Sequence, residues 1–162
     1  GFPILLANDA SLADLNARLA QNNSSPIPMD RFRPNLVVSG AEAWSEDEWG
    51  SMTSDSLELN VVKPCSRCKI PTIDQATGRT GAPSGNDDEG GGPGQAEPNK
   101  TLKEFRSGTA LAAIDPFFAQ PKRKNDVFFG QNLVHFAAGA EVAVGDRFAC
   151  AAKVEEGSCV VS

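Results

Sequence analysis

The chain has 162 residues, 40% of them hydrophobic, and a formal net charge of −6, which is the size and apolar content of one domain able to bury a core. The acid excess excludes a general nucleic-acid binder, because neutralising phosphates needs a basic face, and the one dense basic run, Lys122-Arg123-Lys124, reads as a solvated loop. Four cysteines, at 65, 68, 150 and 159, are too few and too unevenly placed for a disulfide-stapled secreted scaffold and fit reduced thiols inside a cell.

In chain order, Pro3-Ile4-Leu5-Leu6-Ala7 reads as a short buried strand, and NDASLADLNARLAQNN follows as an amphipathic helix. Leu12, Leu15 and Leu19 make its core face, Asp9 or Ser11 can cap the start, and Asn22 or Asn23 the end. SSPIP breaks the chain, and RFRPNLVVSG predicts an extended Leu36–Val38 run closed by Ser39-Gly40. Trp44 and Trp49 flank an acidic Glu46-Asp47-Glu48 turn and read as packing anchors rather than a binding cage. Leu57, Leu59 and Val61 alternate with Glu58, Asn60 and Val62, the period-two pattern of a half-buried strand, which delivers Cys65 at its end. The cysteines therefore fall where a strand becomes a loop.

Ile73 to Gly78 suits a tight turn, after which a glycine-rich, acidic insertion runs over about 79–98 with almost nothing apolar. Its glycines lack the G-x-x-x-x-G-K-[ST] spacing of a phosphate-cradling loop. A short helix is predicted from about Thr101, then strands within DVFFGQNLVHF and AEVAVGDRFACAA. Val142, Val144 and Phe148, around the Gly145-Asp146 turn, suggest the closing ribbon of a small barrel. The fold class is α+β, strand-rich, with a few short helices.

KPCSRCKIPTIDQATG, residues 63–78, carries the chemistry. A structural zinc site needs four Cys or His ligands in paired half-sites, yet Cys150 and Cys159 are distant and His135 sits in an apolar strand pattern. A thioredoxin-type pair needs a helix directly after the C-x-x-C, and Pro71 with the turn formers beyond it opposes one. A third reading fits the surroundings better: one thiolate binds a soft metal carried by an anionic organic cofactor, and nearby cations and amides hold the cofactor's polar rim. Arg67 lies inside the motif, and Arg33 and Asn35 precede another predicted strand.

SLADLNARL, RFRPNLVVSG, the acidic stretch ending at Trp49, PCSRCKIPTIDQATG, TLKEFR, FGQNLV and VAVGD occur in that order. In this succession the chain resembles the C-terminal MOSC domain of the amidoxime-reducing component and molybdenum cofactor sulfurase families. The resemblance implies a MOSC-type β-barrel fragment over 1–148 and a tail over 149–162. It also implies that an N-terminal part of the barrel is supplied from outside this chain, which opens on Gly1-Phe2-Pro3 with no Met.

The same resemblance implies a molybdenum-pterin (molybdopterin) site. Cys68 corresponds to the thiolate on the metal and is the catalytic candidate, with Cys65 as a structural neighbour. Ser66 and Arg67 correspond to contacts with the pterin or its phosphate, as do Arg33 and Asn35 of the R-P-N element. Asn132 of FGQN is the remaining cofactor-contact candidate, at a position where animal members carry a tyrosine. For Arg33 the plain alternative is an ion pair with the Glu46–Glu48 turn, and for Asn35 a strand-edge hydrogen bond.

The activity implied is reduction of N-hydroxylated small molecules such as amidoximes. Electrons would come from a partner protein: a b-type cytochrome with its reductase, or an iron-sulfur domain. The alternatives are the cofactor-binding end of a sulfurase, whose pyridoxal phosphate would sit in an upstream domain, and a carrier without turnover. The implied location is cytoplasmic or mitochondrial. No apolar run approaches the roughly 18–20 residues that cross a bilayer. The last four residues, Cys159-Val160-Val161-Ser162, match the C-a-a-X prenylation pattern without its usual basic lead-in.

Overall fold

The computed structural model describes residues 2–80, 96–136 and 139–153. The glycine-rich insertion falls mostly on 81–95 and the prenylation candidate Cys159 on 154–162, both outside the described residues. At the insertion's borders, Thr80 bridges Ile73 and the Glu97 carboxylate accepts the Thr101 amide at 3.0 Å.

Strand β1 (Ile4–Asn8) runs directly into helix α1 (Asp9–Gln21). Asn8, not Asp9 or Ser11, caps it by accepting the Ala10 amide at 3.1 Å, while Asn22 ends it as expected. Leu15 and Leu19 are fully buried and Leu12 packs beside them, so the predicted leucine face is the core face.

Five strands follow: β2 (Leu36–Val38), β3 (Trp49–Thr53), β4 (Glu58–Arg67), β5 (Val127–Val134) and β6 (Ala149–Ala152). With β1 they form one sheet in the order β2-β1-β5-β4-β3-β6. Only β1 and β2, linked through α1, run parallel within it. The sheet curls as a half-barrel and does not close, since β2 and β6 are its edges. Two short helices, α2 (Asn99–Phe105) and α3 (Gly108–Leu111), precede β5. Among the described residues no helix is long and apolar enough to cross a membrane.

Each face of the sheet carries a core. Leu15 and Leu19 join Ala7, Ile27, Phe32, Leu102, Val127 and Phe129 on one side, where the Phe32 and Phe129 rings stack at 3.8 Å. Leu6, Trp49, Met52, Leu57, Leu59 and Leu133 form the other. Both tryptophans are packing residues: Trp49 lies in the second core, and Trp44 meets Phe105 and Phe129 edge-on while donating its indole N–H to Asp14 at 2.9 Å.

The closing ribbon differs from the sequence expectation. Residues 141–144 are irregular, and Val144 projects fully into solvent. The expected turn at Gly145-Asp146 is present, closed by the Ala143 amide on the Asp146 carboxylate at 2.8 Å. Alternating valines do not make a strand without a neighbouring edge to pair with, and the free edge of β3 is taken by Ala149–Ala152. Gly50 allows that pairing, because a Cβ there would sit 3.0 Å from the Ala152 carbonyl oxygen.

Two acids of the turn before β3, Glu46 and Asp47, are structural, while Glu48 is exposed. Arg106 grips Asp47 with two bonds of 2.6 and 3.0 Å, and Gln131 adds a third at 2.8 Å. Glu46, fully buried, accepts from Ser11 at 2.7 and 2.9 Å and from Asn8 at 3.0 Å. Burial pushes the Glu46 carboxyl above its ordinary range despite those donors. The turn's cation is thus Arg106, not Arg33.

Candidate functional site

β4 does not stop at Cys65. It continues through Ser66 and Arg67, leaving Cys68 as the first residue beyond the strand. Pro64, which has no N–H to donate, lies at a bulge, and a second irregularity separates Val61 from Lys63. An extended chain advances about 3.3 Å per residue, so the Cys65 and Cys68 Cα atoms stand about 10 Å apart, beyond the roughly 7 Å that a disulfide can bridge. This strand geometry disfavours a redox pair.

The two thiols have different surroundings. Cys65 is half-buried and accepts from the Arg67 guanidinium at 3.1 Å. Cys68 is exposed; its sulfur accepts the Ile70 amide at 3.5 Å, and its carbonyl accepts the Asn99 side chain at 2.9 Å.

Two arginines lace the Cys68 loop to the turn Met29–Phe32. Arg67 donates to the Phe32 carbonyl at 2.7 Å and lies 5.4 Å over the Phe32 ring, and its Nε is buried with no hydrogen-bond partner. In the opposite direction Arg31, only 1% exposed, donates to the Pro71 carbonyl at 3.3 Å and pairs with Asp74 at 3.0 Å. The Asp74 carboxyl is held below its ordinary range by the Thr77 hydroxyl and amide, with Arg31 assisting. These bonds make the predicted tight turn after Ile73.

Arg33, next after Phe32, is exposed and caps the Met29–Phe32 turn with a left-handed backbone at φ 54°. Asn35 is also exposed, and it clamps Leu5 at two points: its amide donates to the Leu5 carbonyl and its side-chain oxygen accepts the Leu5 amide, each at 2.8 Å. The strand-edge role weighed for Asn35 is therefore present. Asn132 pairs with Leu5 on one side and Lys63 on the other and donates to the Lys63 carbonyl at 3.3 Å. Ser66, Arg67, Cys68 and the Arg33 turn thus meet at the end of β4. Asn35 and Asn132 lie in a row across β1 and β5, and Asn132 meets β4 three residues before Ser66.

A cleft of about 220 Å³ opens beside Cys68, lined by Arg67, Asn99, Lys103 and the 125–127 segment. Sequence reading did not reach Arg31, Asn99, Lys103, Asn125 or Asp126, because each joins the site through a partner far along the chain. Among the described residues no three His, Cys, Asp or Glu side chains converge on a metal-sized space. What the described residues offer a metal at Cys68 is one soft sulfur with an amide donor, flanked by guanidinium and amide groups, which suits a metal that arrives with its other ligands.

Known proteins place this arrangement. The MOSC domain model matches residues 1–149. Human mitochondrial amidoxime-reducing component 1 is 35% identical over 122 residues, 73% of this chain and 31% of that protein. The Xenopus laevis component 1 is 37% identical over 130 residues, 80% of this chain and 31% of its own length. Rat component 2 is 38% identical over 104 residues, 64% of this chain and 26% of the relative. This chain thus spans under a third of each of these relatives. With the family model covering nearly all of its described strands, the chain belongs to the MOSC domain family.

Proposed function

We propose that this chain forms the molybdenum-cofactor-binding part of an oxidoreductase that reduces N-hydroxylated compounds such as amidoximes. The observation that carries the reading is the exposed Cys68 sulfur at the end of β4, with the Ile70 amide on it and Arg67 one residue away. A dithiolene-bound metal is soft and favours a thiolate, and the Ile70 amide aims one hydrogen bond at this sulfur.

In this reading Cys68 anchors the metal. Arg67, with a buried Nε lacking a partner, and Arg33, whose exposed guanidinium enters no ion pair among the described residues, face the cofactor's anionic groups. Arginine suits that task because its planar fork meets phosphate with two parallel bonds. Ser66, Asn35 and Asn132 supply neutral polar groups around the pterin; the Asn35 and Asn132 side chains each already hold one backbone group in place. Bound there by Cys68 and these polar groups, the cofactor would supply redox chemistry that the side chains lack.

The electron donor is a partner protein, either a b-type cytochrome with its reductase or an iron-sulfur domain. The relatives described above carry the amidoxime-reducing name, which favours reduction over a pyridoxal-phosphate-dependent sulfurase. The test is full-length protein with Cys68→Ala, assayed for benzamidoxime reduction and for bound molybdenum. Loss of both with the fold retained supports the assignment, and unchanged turnover overturns it. Molybdenum without reduction by any donor points to a carrier.

A further inference from the structure

The Cys68 sulfur is held by a turn of its own loop, and that turn is fastened from outside by one side chain. The Ile70 amide reaches the Cys68 sulfur at 3.5 Å, the i to i+2 arrangement by which short polar side chains close a turn on their own backbone. The peptide between them begins at the Cys68 carbonyl, and that carbonyl is oriented by the Asn99 amide at 2.9 Å across a separation of 31 positions.

Asn99 is 1% exposed and is the first residue of α2, so the donor rides on a fixed element. Leu102 pins α2 in the core, Glu97 holds the Thr101 amide at 3.0 Å, and Asn22 at the end of α1 donates to the Thr101 hydroxyl at 3.0 Å. On the far side of the loop, Arg31 holds the Pro71 carbonyl. The Cys68–Ile70 turn is therefore tied at its start by Asn99 and just after its end by Arg31.

We infer that Asn99 is a positioning residue for Cys68: it sets the Cys68 peptide plane so that the Ile70 amide stays aimed at the sulfur. That hydrogen bond fixes the direction in which the rest of the sulfur faces. Its consequence for metal binding rests on the reading of Cys68 as the metal's thiolate. The Asn99–Cys68 bond is only partly buried, so its loss shows in the behaviour of the loop more than in global stability.

The test uses full-length protein from a host that cannot make the molybdenum cofactor, so that the sulfur is free to react. Alkylation of Cys68 by iodoacetamide at pH 7.5 and hydrogen exchange of the Ile70 amide are followed by peptide-resolved mass spectrometry. Asn99→Leu, similar in volume but without the donor, is expected to speed Ile70 exchange about three- to tenfold and to change the alkylation rate by a similar factor, because the sulfur is no longer held in one direction. Asn99→Gln, which keeps the donor, should recover part of both. Wild-type alkylation and exchange rates in Asn99→Leu overturn the inference. If Asn99→Leu fails to fold, Asn99→Asp, isosteric but without the donor, takes its place under the same criterion. Molybdenum content of the wild type from a cofactor-competent host is measured separately; its absence refutes the metal reading and leaves the positioning result standing.

Discussion

Replacing Arg67 with methionine keeps most of the side-chain stem and removes the guanidinium, which separates its bonding from its packing. The largest loss is the 2.7 Å bond to the Phe32 carbonyl, a hydrogen bond from a charged donor worth about 1.5–3 kcal/mol. The face of the Phe32 ring, 5.4 Å from the guanidinium, adds about 0.5–1 kcal/mol. Against these, methionine no longer buries the unpartnered Nε, which returns about 1 kcal/mol. The net expectation is a loss of about 1–3 kcal/mol, or about 2–4 °C in Tm per kcal/mol for a domain of this size. Differential scanning calorimetry of cofactor-free full-length protein reads it directly, and Arg67→Lys should fall between the two because it keeps the charge but not the fork. In cofactor-competent cells the same substitution should also lower bound molybdenum. A Tm within 1 °C of wild type would show that the Phe32 carbonyl does not depend on Arg67, and the lacing of the two loops would have to be abandoned.

Gly130→Ala should cost at least about 3 kcal/mol in urea unfolding, since its φ of +77° already disfavours a side chain and the new Cβ would collide with the Leu6 carbonyl oxygen where β1 meets β5. Asp47→Asn leaves the buried Arg106 without its counter-charge and should cost about 3–5 kcal/mol in the same measurement; a loss under 1 kcal/mol would contradict the buried pairing. Glu46→Gln tests the raised carboxyl. With the folded pKa above the unfolded one, the favourable contribution of Glu46 is fully present below about its ordinary value of 4.5 and is lost as pH rises through the folded value. The stability of Glu46→Gln relative to wild type should therefore climb above pH 4.5, by at most about 1.4 kcal/mol per pH unit, and then level off. A flat difference between pH 4 and pH 8 would refute the shift.

Local pattern was enough for α1, whose leucines at i, i+3 and i+7 leave one buried side, and for β4, whose alternation survives until its bulges. β3 escaped the same treatment because the irregularity between Trp49 and Ser51 puts Trp49 and Met52, three apart, into one core and breaks the period of two. β6 lies within the AEVAVGDRFACAA stretch read as strand, but at its small, exposed end, where Ala149–Ala152 find the edge of β3 to pair with. Val142 and Val144 show the converse, an alternating pattern left irregular for want of a partner edge.

For the site, the C-S-R-C and R-P-N spellings and their likeness to a known family were legible in the order of residues alone, since motif and spacing are properties of the chain. The half-barrel brings the rest together. The strand through Arg67 holds the two sulfurs apart, Arg31 meets Asp74 across 43 positions, and Asn99 reaches the Cys68 carbonyl from beyond the insertion. A hydrogen bond depends on where two groups sit in space, and residues that far apart meet only when the sheet between them has curled.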